Sequence, residues 1–160
     1  MIIENRLAEL GLQLPAPMKT PPGAALPFPW VHTNQGRAFI SGHGALLPDG
    51  SLASPFGKVG SEVEPDQAYQ LARLTALSIF SSLRRELGDL DRVTGWLRVF
   101  GMVNAAPGFH AAPAVINGFS DLVLELWGAD AGRHARSAVG LAELPFNIAV
   151  EIEAEVVIDA

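Results

Sequence analysis

Residues His134 to Ile158 read HARSAVGLAELPFNIAVEIEAEVVI. The second half alternates without a break, with Ile148, Val150, Ile152, Ala154, Val156 and Ile158 on one side and Ala149, Glu151, Glu153, Glu155 and Val157 on the other. A period of two means a strand. The first half alternates as well, Arg136, Ala138 and Gly140 against Ser137, Val139 and Leu141, before a short linker holding Pro145 and Asn147. Two alternating runs around such a linker read as a β-hairpin. With the turn near Leu144–Pro145, Arg136 falls across from Glu153 and diagonal to Glu151 on one face, where diagonal neighbours sit roughly 7–8 Å apart. Arginine offers a rigid fork of donors that suits a substrate carboxylate, and a nearby glutamate can hold and activate water. The same spacing equally describes a cross-strand salt bridge on a solvated sheet face.

Outward from this stretch, Ala111–Trp127 has helical periodicity, with Val115, Phe119, Leu122 and Leu126 inward and Gly128 as its end. Asn117 lies off that stripe; asparagine costs helix propensity, so it has either a polar duty or plain solvent exposure. Trp96–Val103 is apolar on both faces, as in a central strand, with Gly101 a candidate bulge. Pro65 opens the most regular helix, where Ala68, Ala72, Thr75, Ile79, Leu83 and Leu87 form one stripe up to Gly88. Trp30–Thr33 and Arg37–Ser41 pair around Asn34-Gln35-Gly36, and a further short strand is expected near Lys58–Gly60 inside the long Gly/Pro-rich loop 46–61. Residues 1–29 comprise a short amphipathic helix over 3–10 and a proline-rich arm. The order gives one α+β domain over 1–160, a mixed six-stranded sheet with two long helices on one face. Burying the other face requires a partner.

Composition narrows the function. The chain has 160 residues, 49% hydrophobic and 18% charged, with a net charge of −6 and no cysteine. One domain with a substantial core follows, and disulfides, thiolate metal sites and a thiol nucleophile are excluded. The acidic balance, with only Arg84 and Arg85 adjacent, weighs against nucleic acid as a partner. No apolar run reaches the ~18 residues of a membrane span, and Glu4 and Glu9 stand where a signal peptide would be apolar; a cytoplasmic chain is expected. His32, His110 and His134 lack ligand spacing with one another, so neither a metal nor another cofactor is expected. Small residues around His43, from Ser41 to Gly44, let a ligand approach the backbone.

The run ARSAVGLAELPFNIAVEIEAEV, with Ser41-Gly42 after a hydrophobic strand and Asn117 on the second long helix, resembles the YjgF/RidA family from about Phe28 onward. The resemblance implies a chorismate-mutase-like homotrimer with sites between subunits. In such a site Arg136 grips the carboxylate of a 2-imino or 2-enamino acid and Glu151 positions the water that releases ammonia. Phe28, Ser41, Gly42, His43, Asn117 and the backbone at Ala138 fall at the family's ligand-binding positions. Four positions depart from the pattern: Phe28 replaces a common Tyr, His43 a Gln, Ala138 a Cys and Gly140 a Glu. The expected function is hydrolytic deamination to a 2-oxo acid. The departures favour a noncatalytic binder of small carboxylates as the alternative, and an endoribonuclease is the third class.

Overall fold

The computed structural model describes residues 1–159. Its order is α1 (Ile2–Glu9), β1 (Val31–Asn34), β2 (Arg37–His43), α2 (Pro65–Leu87), β3 (Val93–Asn104), α3 (Ala112–Ala131), β4 (Ala135–Leu141) and β5 (Val150–Ile158). One five-stranded sheet runs β1-β2-β5-β3-β4. The turn between β1 and β2 places Gln35 at φ 49° and Gly36 at φ 73°, the left-handed pair that matches strand twist in a two-residue hairpin. Helix α2 begins at Pro65, with the Glu64 N–H donated to Gln67 Oε1 at 3.0 Å, and closes on Gly88 at φ 86°. Both local devices satisfy groups that a helix end leaves unpaired.

α2 and α3 cover one face of the sheet. The side chains of Ile152, Ala154 and Val156 point into the core with Val99 and Val103. At its centre Trp96 meets Phe80, Phe119 and Trp127 edge-on, with centroids 5.8, 5.7 and 5.3 Å away, the geometry favoured by ring quadrupoles. Where the sequence predicts an end at Gly128, α3 breaks locally (φ 79°, ψ 177°) and then resumes to Ala131. The opposite sheet face carries Glu151, Glu153 and Glu155 beside Arg98, Phe100 and Met102 of β3. No helix among the described residues covers it.

Two expectations fail, each for a physical reason. β4 and β5 are not a hairpin: β3 lies between them, parallel to β4 and antiparallel to β5. Alternation fixes which side chains share a face but not which strand lies alongside, and residues 142–149 are long enough to step past the end of β3. Nor is there a sixth strand among the described residues. Val59 makes only isolated bridges, to Val63 and Ala105, because Gly57 (φ 114°) and Gly60 (φ 94°) turn the chain out of extension on either side.

The N-terminal arm is docked rather than loose. After α1 buries Ile3 and Leu7, Pro15 O accepts from Ser81 Oγ at 2.6 Å. The Ala16 and Lys19 N–H groups reach Pro48 O and Gly50 O at 2.9 and 3.0 Å. These bonds tie the arm to α2 and to the loop after β2. No helix of the described residues is long and apolar enough to cross a membrane.

Candidate active site

Arg136 pairs with Val99 across β3, and Val99 pairs with Ala154. Arg136 therefore stands on the helix side of the sheet, whereas Glu151, opposite Met102, stands on the open side. The expected Arg136–Glu153 apposition does not exist. Instead the guanidinium reaches along α3: Nη1 donates to Asn117 Oδ1 at 2.8 Å and to Ser120 Oγ at 3.1 Å, and Nη2 donates to Pro113 O at 3.3 Å. Asn117 is exposed, but it has the polar duty that its propensity cost suggested.

Ser120 extends this contact inward. Its Oγ lies 2.8 Å from His134 Nε2, and His134 Nδ1 lies 2.7 Å from Gly132 O. A neutral imidazole donates from Nδ1 and accepts the Ser120 hydroxyl at Nε2, leaving Ser120 oxygen free to accept from Arg136. Burial, together with the Arg136 charge, lowers the His134 pKa and favours this neutral form. Ser120 and His134 were missed in the sequence. The available signal was the spacing of Asn117 and Ser120, i and i+3 on one helical face.

Ala138 lies two residues along β4, on the rim of a shallow cavity of about 530 Å³ shared with Pro113, Phe109 and His110. β4 is an edge strand, so its outer backbone groups are open to a ligand or a neighbouring chain. Gly140 is tightly placed: a Cβ there would meet the Ala105 Cβ at 2.9 Å.

Glu151 belongs to a different cavity, of about 560 Å³, walled by Phe28, Leu26, Phe146 and Ile148 and floored by Gly42. Register shifts in the β2–β5 pairing between Ile40 and His43, and this bulge carries Gly42 onto the glutamate. A Cβ at Gly42 would lie 3.1 Å from Glu151 Cδ and 3.2 Å from Oε2. Glycine thus allows the carboxylate to lie against backbone. Half-burial, reinforced by the charge of Glu153, raises the Glu151 pKa. Ser41 holds this wall in place, its Oγ donating to Pro29 O at 2.8 Å and its N–H to Trp30 O at 3.0 Å.

His43 does not join the cavity. It is buried on the helix side beneath Trp30, 4.9 Å between ring centroids. Nδ1 lies 2.6 Å from Ser41 O and Nε2 lies 2.9 Å from Ser82 Oγ. The bulge that delivers Gly42 to Glu151 turns His43 inward. Within one chain, then, Phe28, Ser41, Gly42 and Glu151 come together, Arg136, Asn117 and Ala138 come together elsewhere, and His43 is apart from both.

The family described as "YjgF/chorismate_mutase-like, putative endoribonuclease" matches residues 4–154. The chain belongs to the YjgF/RidA family. Atu1372 of Agrobacterium tumefaciens, a protein of unknown function, is 36% identical, with a TM-score of 0.87 over 99% of this chain and 93% of that one. A "putative endoribonuclease" of Shewanella oneidensis MR-1 is 26% identical, with a TM-score of 0.86 over 99% and 100%. RidA of an Antarctic Psychrobacter shares the fold at 20% identity, with a TM-score of 0.57 over 89% and 99%. Protein TCP17 of Trypanosoma cruzi is 43% identical over 98 residues, and the match spans 61% of each chain. For a YjgF/RidA chain, the departure at Gly140 has a steric reading here, since Ala105 occupies the space that any side chain would enter first.

Proposed function

We propose that this protein hydrolyses 2-imino or 2-enamino acids to 2-oxo acids and ammonia, at sites assembled between subunits of a homotrimer. The observation that carries the proposal is Glu151: a half-buried carboxylate with a raised pKa, set in the wall of a mostly apolar cavity. Burying a carboxylate there is costly unless it serves. A pKa nearer neutrality makes the carboxylate a better-matched general base. The complementary group, Arg136, is held by α3 on the edge strand with its fork oriented by Asn117 and Pro113. A second copy placed against the uncovered sheet face and its edge brings an Arg136 to each Glu151 cavity.

In the proposed reaction Arg136 binds the substrate carboxylate and Glu151 takes a proton from water as its oxygen adds to the imine carbon. Glu151 passes that proton to nitrogen, giving a carbinolamine; it then carries the hydroxyl proton to nitrogen as the C–N bond breaks, so that ammonia leaves as the carbonyl forms. The backbone of Ala138 and Gly42 and the ring of Phe28 shape the ligand's surroundings without entering the proton transfers. The endoribonuclease name carried by relatives is less well supported: a row of three glutamates on the open face and a net charge of −6 repel phosphate.

The test pairs calorimetric titration of a 2-oxo acid with imine hydrolysis. Arg136→Lys keeps the charge but loses the fork, so affinity is expected to fall about tenfold or more with little change in melting temperature. Glu151→Gln keeps the shape and is expected to lower hydrolysis about 100-fold or more. Unchanged affinity in the first variant and unchanged turnover in the second would overturn the assignment.

A further inference from the structure

The cavity above Glu151 is larger than a three-carbon imino acid can fill, and the surplus is apolar. Its volume of about 560 Å³ lies well inside the range that holds far bigger ligands. Of the two charged residues on its wall, Lys19 is turned to Asp49 at 3.0 Å, which leaves Glu151 as the charged group facing the interior. The remaining wall comes from two sources: Phe146 and Ile148 ahead of β5, and Met18, Leu26 and Phe28 of the proline-rich arm. The arm is held in that position by its backbone bonds to Pro48 and Gly50. It therefore forms a fixed part of the cavity.

The geometry points to a substrate whose side chain is long, branched and apolar, or aromatic, with the N-terminal arm as the element that selects it. This rests on the placement of the reacting carbon at Glu151. Once the carboxylate is at Arg136 and the imine carbon at Glu151, the side chain is the one part of a 2-imino acid left to occupy the apolar volume. Small or charged side chains leave that volume empty or desolvate a charge within it. The arm thus sets specificity at a site whose chemistry is supplied by the sheet.

The experiment is calorimetric titration of the 160-residue chain with pyruvate, 2-oxobutanoate, 4-methyl-2-oxopentanoate and phenylpyruvate, in wild type, Leu26→Asp, Leu26→Met and Arg136→Lys. Each added methylene is expected to tighten binding about fourfold, the equivalent of about 0.8 kcal/mol per buried CH₂. The branched six-carbon acid should therefore bind about 60-fold more tightly than pyruvate. Leu26→Asp should narrow that ratio at least about fivefold through the charge placed in the apolar wall, whereas Leu26→Met should preserve it. Equal affinities across the series, or a preference for pyruvate, with binding still weakened about tenfold or more by Arg136→Lys, would overturn the side-chain inference and leave the site standing. A Leu26→Asp variant with an unaltered ratio would remove the arm from selection. Absence of binding by every acid would overturn both readings.

Discussion

His43 and His134 are held by the same arrangement. In each, Nδ1 meets a carbonyl two residues earlier, Ser41 or Gly132, and Nε2 meets a helix serine, Ser82 or Ser120, that also accepts from an arginine, Arg85 or Arg136. The arrangement is satisfied by a neutral ring. For His43, burial, with the Arg85 charge adding to it, lowers the pKa from 6.5 to about 4. Below pH 6.5 the unfolded chain takes a proton that the native imidazole refuses until about pH 4. The His43 contribution is therefore complete above pH 6.5 and is lost as the pH falls toward 4, by about 3 kcal/mol in total. Urea midpoints at pH 7.5 and 4.5 should converge in His43→Gln relative to wild type; an identical acid loss in both proteins would show that another group is responsible. Arg136 and Glu151 stood out in the sequence as candidates because their residue types and the ARS and EIE spacing mark them. Their partners were not, since Ser120 and Gly42 act through tertiary approach, which leaves no periodic trace.

At the scale of elements, Gly101 shows what a local reading misses. A glycine inside a strand suggests a bulge, yet the irregularities in β3 fall between Val93 and Gly95 and between Trp96 and Arg98. Gly101 lies instead beneath α3, where a Cβ would come within 2.6 Å of the Ile116 side chain. Glycine at this point sets how closely the helix approaches the sheet. Gly101→Ala should destabilise by about 1–3 kcal/mol through overpacking, and Ile116→Ala in the same chain should relieve part of that cost. Additive losses in this double-mutant cycle would contradict the contact. The strands and helices themselves were readable from periodicity and caps, as with the α2 stripe from Ala68 to Leu87 and its stop at Gly88. Strand neighbours were not: the alternation from Val150 to Ile158 gave β5 its two faces correctly but could not tell that β3, rather than β4, lies beside it. That single error moved Arg136 to the wrong side of the sheet.

At the scale of the whole molecule, the chain presents two incomplete halves. One side offers Glu151, Gly42 and Phe28 around a cavity, the other Arg136, Asn117 and Ala138 on an edge strand, and the open sheet face between them leaves Phe39 41% and Val139 39% exposed. Large apolar side chains beside a row of glutamates on an uncovered sheet suit a specific contact with another copy better than a free surface. The α+β class and most of the candidate residues of both halves were named from the sequence; the strand order and the separation of the two groups within one chain are visible only in three dimensions. The proposal that the halves meet between subunits has a direct test in complementation. Arg136→Lys and Glu151→Gln proteins, each impaired alone when assayed below saturating substrate, are mixed in equal amounts, unfolded and refolded together. In a closed ring with one Arg136 and one Glu151 from neighbouring subunits, about a quarter of the sites receive both wild-type groups. The account predicts recovery of imine hydrolysis to about that fraction of the wild-type level; a refolded mixture of confirmed hybrid oligomers that stays as impaired as its two components would contradict it.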